Sequence, residues 1–188
     1  MGLPEVILIS EDEPDWEPLA MGYPGQPLHW GPYAFPTAEH LFQSLKCTRP
    51  GDVKLLLSRP TAAEARSQGQ RFVHMRQDWR YVQEAALRLV LAIKFYPGRP
   101  EVARLLETGD ALLVHASFER WRGVDVLAAL PGTDDEMESA WPRATGLNWL
   151  GTLLMARRAE LVAQVGADVL DHQRAALWDY VRWQPPKS

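Results

Sequence analysis

The chain has a single cysteine, Cys47, among 188 residues, so it forms no internal disulfide and offers no cysteine-based metal cluster. Long apolar runs are also missing. No stretch reaches the roughly 18 apolar residues of a membrane-spanning helix, so a membrane partner is not expected. The opening residues, MGLPEVILISEDEPDWEP, lack the basic start and cleavage region of a secretory signal, which points to a cytoplasmic protein. Positive charge is in deficit: 20 Lys and Arg face 24 Asp and Glu, a formal net charge of -4. Broad binding to a nucleic-acid backbone needs clustered Lys and Arg, so only a local basic pocket remains compatible with this balance. No GxGxxG or P-loop is present, which removes dinucleotide and NTP binding of those kinds. There is no repeat and no evident linker.

What is present is ordinary in amount. Hydrophobic residues make up 46% and charged residues 23%, the balance of a water-soluble globular domain. The length suits one such domain. The first 36 residues hold Pro4, Pro14, Pro18, Pro24, Pro27, Pro32 and Pro36, each fixing φ and removing a backbone donor. A short strand at Val6 to Ile9 is expected there, followed by irregular chain. Trp16, Tyr23, Trp30, Tyr33 and Phe35 make the segment too aromatic for a disordered tail, so residues 1–36 read as a wrap around the domain.

From Thr37 the pattern turns helical. Thr37 suits an N-cap, and Ala38, Leu41, Phe42 and Leu45 recur at the spacing of one buried face, with the helix ending near Cys47. Short helices are expected over Asp52–Ser58 and Thr61–Gln68, and a longer one from Asp78 to Phe95, stopped by Pro97-Gly98. Pro100-Glu101 restarts a helix that Gly109 closes. ALLVHA at 111–116 reads as a strand, 122–145 as a loop rich in Gly, Pro and acids, and Asn148–Val165 and Leu170–Trp183 as helices. The fold class is therefore mainly α, with little or no sheet.

Several polar groupings stand out. Glu39, Gln43 and Lys46 lie at i, i+4 and i+7, along one line of the first helix. Such a row can hold a water and an anionic substrate, but by spacing alone it reads as a solvated face. His40, Ser44 and Cys47 form a second row, whose ends are two turns and about 10 Å apart, too far for a Cys–His nucleophile. Asn148 opens an apolar helix as a cap would, with Arg157 and Arg158 on its later turns. Asp134, Asp135, Glu136 and Glu138 read as a loose acidic loop rather than a cation site. The eight tryptophans read first as core.

At FPTAEHLFQSLK the chain resembles the NADAR superfamily, the YbiA-like N-glycosidases, whose core opens with Thr/Ser-x-Glu-His-x-Phe-Gln-x-x-Lys. Thr37, Glu39, His40, Phe42, Gln43 and Lys46 fill that pattern in order. PTAAEARSQG at 60–69 is similar to the family's Pro-x-x-Ala-Lys-x-x-Gly. Asp78-Trp79 followed by Lys94-Phe95, LLETGDALLVHAS at 105–117, and GLNWLGTLLMARR at 146–158 are further matches. The resemblance implies a domain over about 18–163, with 164–188 as a C-terminal helix packed on it. One segment departs from the family: HASFERWRGVD stands where Glu-x-Ser-x-x-Asp-x-x-Trp-Gly-x-Gly is usual, with His115 in place of the first Glu.

The resemblance implies hydrolysis of an N-glycosidic bond to ribose without a metal or other cofactor. The family's substrates are phosphorylated intermediates of riboflavin synthesis and ADP-ribose attached to guanine, so nucleic acid enters only as an ADP-ribosylated substrate. The net acidity favours the small ribosylamino-pyrimidine phosphate. The altered segment also leaves room for a non-catalytic nucleotide-binding module. Carried over residue by residue, the resemblance implies Glu39 as the carboxylate near C1′ and Lys46 as the group that steadies it or meets phosphate. Glu119 becomes the second acid, with Asp125 as its alternative and otherwise a substrate contact. Gln43, Trp79, Asn148 and Arg157 complete the substrate-binding set.

Overall fold

The computed structural model describes residues 5–10, 14–115 and 148–163. Among these residues the fold is mainly α, with two small two-stranded sheets. Strand β1 (Val6–Ile9) pairs in parallel with β4 (Leu112–His115), Val6 opposite Leu112 and Ile9 opposite His115. Strands β2 (Leu28–Trp30) and β3 (Tyr33–Phe35) form an antiparallel hairpin, Leu28 opposite Phe35.

That hairpin is the departure from the irregular chain expected after β1. Its prolines flank the strands instead of interrupting them: Pro27 precedes β2, Pro32 sits in the turn and Pro36 follows β3. Gly31 supplies the positive φ, 56°, that a tight two-residue turn needs at its first position. Leu28, Tyr33 and Phe35 are then turned inward.

Helix α1 (Ala38–Ser44) begins where Thr37 accepts a hydrogen bond from the His40 N–H at 3.3 Å, a side-chain cap on an otherwise unpaired donor. It ends earlier than the periodicity suggests. The chain tightens into three-residue turns, Lys46 N–H to Gln43 O and Cys47 N–H to Ser44 O, before Cys47 bridges to Met75. Helices α2 (Pro50–Leu57), α3 (Ala62–Gln70), α4 (Trp79–Lys94) and α5 (Pro100–Glu107) follow, and α6 (Trp149–Val162) returns against β4. Gly109, at φ 51°, closes α5 in the left-handed region.

The core gathers around α1, which packs against α2, α3, α4 and the hairpin, so that all seven of its residues are buried. Leu41, Phe42 and Leu45 meet Phe35, Leu56, Leu87 and Leu91 in one cluster. Truncating such a side chain costs about 3–5 kcal/mol for a phenylalanine. Because the helix is enclosed on every side, its polar row is enclosed with it. Among the described residues no helix is long and apolar enough to cross a membrane.

Candidate functional site

Helix α1 carries the row Glu39, Gln43 and Lys46 into the interior. Their exposures are 0%, 1% and 9%, which removes the solvated-face reading. Burying a carboxylate is costly unless donors and a cation meet it. Gln43 Nε2 donates to Glu39 Oε1 at 2.6 Å, the i to i+4 reach of one helix face. From α3, Arg66 brings its Nη2 to 3.4 Å from Oε2 and its Nε to 3.4 Å from Oε1. The Glu39 N–H donates to the Met21 carbonyl at 2.9 Å, tying this end of α1 to the N-terminal segment. Carboxylate, amide and guanidinium thus form one ionic group between α1 and α3.

Gln43 is itself held from α3. A β-carbon on Gly69 would stand 2.0 Å from Gln43 Oε1 and 2.7 Å from Cδ, so only glycine leaves room for the amide. With Nε2 spent on Glu39, the Oε1 atom has no hydrogen-bond partner among the described residues.

Lys46 lies over two aromatic rings, its Nζ 5.4 Å from the Trp79 centroid and 5.9 Å from that of Phe42. The rings meet edge to face, 5.2 Å apart and inclined at 65°. Trp79, the first residue of α4, is thereby brought beside the α1 row, and ring faces of this kind attract an ammonium.

The second row does different work. His40 Nε2 lies 3.0 Å from the Arg59 carbonyl, which can only accept, so the proton resides on Nε2 and Nδ1 accepts from the Thr37 hydroxyl at 2.8 Å. Burial lowers the His40 pKa, against the opposing pull of the Arg59 carbonyl and Glu39, and the ring is a neutral brace. Cys47 is buried, and desolvation, with Asp52 nearby, pushes its thiol up to about 12. A thiol so protonated is no nucleophile.

Asn148 adopts φ 46° and ψ 39° and makes no side-chain cap to α6. Its amide instead clamps β4, Oδ1 accepting from the His115 N–H at 3.1 Å and Nδ2 donating to the Leu113 carbonyl at 2.9 Å. Gly151 permits the approach: a β-carbon there would lie 2.2 Å from the Leu113 carbonyl oxygen. Arg157, 5% exposed, donates to the Phe95 carbonyl and to Glu160, both at 2.8 Å. Arg158 donates to Thr108 Oγ1 at 2.7 Å and the Ala111 carbonyl at 3.0 Å. Both arginines face the scaffold.

A model of the NADAR domain matches residues 15–162. The chain belongs to the NADAR domain family. Its fold is similar to that of the E. coli protein YbiA solved by NMR, with a TM-score of 0.65, 24% identity, and coverage of 87% of this chain and 89% of that one. Among curated proteins there is no match.

Within this NADAR domain the ionic group around Glu39, with Lys46 and Trp79 beside it, is the candidate site. Gln43 joins it directly; Asn148 and Arg157 occupy the β4–α6 and α4–α6 junctions. Glu119, Asp125 and the acids at 134–138 lie outside the described residues. Two residues were absent from the sequence-based site, Arg66 and Gly69. Both stand in PTAAEARSQG, so the signal was the block that carried the resemblance.

Proposed function

We propose that this NADAR protein hydrolyses the N-glycosidic bond between a phosphorylated ribose and a nitrogenous base, with Glu39 as the carboxylate at C1′. The observation that carries the proposal is the Glu39 carboxylate itself, fully buried and kept beside Gln43 and Arg66. Departure of the base leaves an oxocarbenium-like sugar, and a preorganised carboxylate in a water-poor setting stabilises that charge or directs water to C1′. Gln43 keeps the Glu39 oxygen oriented. Arg66 offsets the cost of the buried anion.

Lys46 is the cation assigned to the substrate phosphate, and the Trp79 surface is assigned to the base. Glu119, with Asp125 as its alternative, is proposed to protonate the departing base. The preferred substrate is a ribosylamino-pyrimidine 5′-phosphate of riboflavin synthesis, because the net charge of -4 favours a small ligand over a nucleic-acid backbone. Asn148 is assigned to hold α6 against β4 and Arg157 to hold α6 against the end of α4, rather than to spend hydrogen bonds on the substrate, since the Asn148 amide serves His115 and Leu113 and the Arg157 guanidinium serves Phe95 and Glu160.

The test is chromatographic release of free base from that phosphate, run beside ADP-ribosylated guanosine. Release from the first supports the reading as stated. Release from the second alone reassigns the enzyme to ADP-ribosyl-guanine, and binding of either without release replaces the enzyme by a ligand-binding module.

A further inference from the structure

We infer that Lys94, at the end of α4, is a positioning residue for Glu39, acting through the two adjacent carbonyls of Ala20 and Met21. The inference rests on the reading of Glu39 as the site carboxylate. Lys94 is 2% exposed, and its Nζ donates to the Ala20 carbonyl. The next carbonyl along, that of Met21, accepts the Glu39 N–H at 2.9 Å. Ala20 and Met21 are themselves buried, so the short segment between Lys94 and Glu39 has little room to shift.

The Ala20 carbonyl also closes a turn, accepting from the Tyr23 N–H at 3.4 Å, and Ala20 N–H returns to Glu17 O at 2.8 Å. Lys94 thus fastens the N-terminal segment from the α4 side while α1 fastens it from the other. Glu39 N–H is one of the donors that a helix leaves unpaired in its first turn. Its acceptor is therefore supplied by a segment whose position Lys94 sets.

The surroundings of Lys94 make this hold sensitive to protonation. Nζ lies 5.6 Å from the centroids of both Tyr23 and Phe95. Glu101 of α5 and Glu17 favour its charge, and Arg99 opposes it. Glu101 is 3% exposed, pairs with Arg99 at 3.4 Å, and among the described residues leaves Oε2 without a hydrogen-bond partner. On the α6 side, Arg157 is bound to the neighbouring Phe95 carbonyl. Burial outweighs the acids and brings the Lys94 pKa down to about 7. An ammonium donates a charge-assisted bond, roughly twice as strong as the one a neutral amine makes. Deprotonation consequently loosens the grip on Ala20.

Global stability moves the opposite way. The folded Lys94 pKa lies below the ordinary value of 10.5, so between about 7 and 10.5 the unfolded chain binds the extra proton. The contribution of Lys94 to stability is full above the unfolded value and is lost as pH falls to the folded one. Raising the pH through this window strengthens the fold and weakens the pin. A residue with only a structural role would move both together.

The decisive experiment follows amide hydrogen exchange at Glu39, corrected for intrinsic rates, in the full chain and in Lys94→Met and Lys94→Gln, from about pH 6 to about pH 9. In the native chain, Glu39 protection is expected to fall several-fold across the range while resistance to urea rises. Lys94→Met is expected to exchange about tenfold faster at Glu39 with no such pH trend, and Lys94→Gln, which keeps an N–H donor, to recover part of the protection. Where base release is measurable, kcat in Lys94→Met falls on the order of 10-fold with KM within about twofold. Glu39 protection that ignores both pH and Lys94→Met overturns the pin. Exchange reads the pin without turnover, so loss of the N-glycosidase reading and loss of this one remain separate results.

Discussion

Gln43 fills the space that any side chain on Gly69 would need, its Oε1 lying 2.0 Å from where a β-carbon would stand. Two helices are thereby keyed together by an absence on α3 and an amide on α1, and the same amide orients Glu39.

Gly69→Ala is the first consequence. In an exposed helix this change gains about 0.5–1 kcal/mol. Here the new methyl group drives into Gln43, and overpacking of this kind costs about 1–3 kcal/mol. Urea denaturation is expected to show Gly69→Ala less stable than the native chain, with Gly69→Ala/Gln43→Ala recovering stability but not turnover. A single variant as stable as the native chain would mean that Gln43 has another place to go.

Arg66 faces a fully buried carboxylate while its own side chain is 28% exposed, so its worth lies between that of a surface pair and a buried one. Arg66→Met is expected to cost about 1–3 kcal/mol, solvent screening included. Arg66→Lys, which keeps the charge, is expected to lose less than half as much. Thermal denaturation of the three proteins side by side checks the order; equal losses in both variants would point to packing of the arginine stem instead.

Cys47 is expected to resist thiol reagents in the native state. With its pKa pushed up to about 12 and the sulfur buried, the thiolate needed for attack is scarce near neutral pH. A colorimetric disulfide reagent should label it only on the timescale of unfolding, and Cys47→Ala should turn over at a rate within about twofold of native. Rapid labelling would contradict its place in the core.

His40 sets an acid limit on the fold. Its pKa is lowered below 6.5 by burial, so the unfolded chain takes up a proton first as pH falls. The stability this residue contributes is present above the unfolded value and lost as pH drops through it toward the folded one. Stability measured in urea should therefore decline from about pH 7 to about pH 5. His40→Gln should be weaker at neutral pH, having lost the Arg59 and Thr37 bonds, but its decline with acid should be shallower. Parallel declines would contradict the assignment.

Among the described residues the helices were legible in the sequence because each announces itself locally, while the helix expected over Leu170–Trp183 lies outside those residues. Thr37 caps α1, Pro100 opens α5, and the apolar spacing of α4 runs from Trp79 to Ile93, whereas α2 begins at Pro50, ahead of the expected Asp52, and Thr61 caps α3 instead of opening it. The β2–β3 hairpin was not legible, since strands of three residues between prolines carry too little alternation to register. The row Glu39, Gln43, Lys46 was visible, but its burial was not: that follows from α1 being surrounded on every side, a property of the assembled chain. Arg66 and Gly69 reach the site only through the packing of α3 on α1. Asn148 looked like a cap and proved to be a clamp on β4, because its left-handed backbone turns the amide away from the helix it precedes.

Glu39 bears the central claim, and Glu39→Gln tests it most directly. The substitution keeps shape and removes charge. Native and variant proteins would be given a ribosylamino-pyrimidine 5′-phosphate and ADP-ribosylated guanosine, with free base quantified and ligand binding measured in parallel. The expected result is base release by the native protein that falls by at least about 10²-fold in Glu39→Gln while binding persists. Equal release by both proteins, or binding without release by either, would contradict Glu39 as the carboxylate of an N-glycosidase.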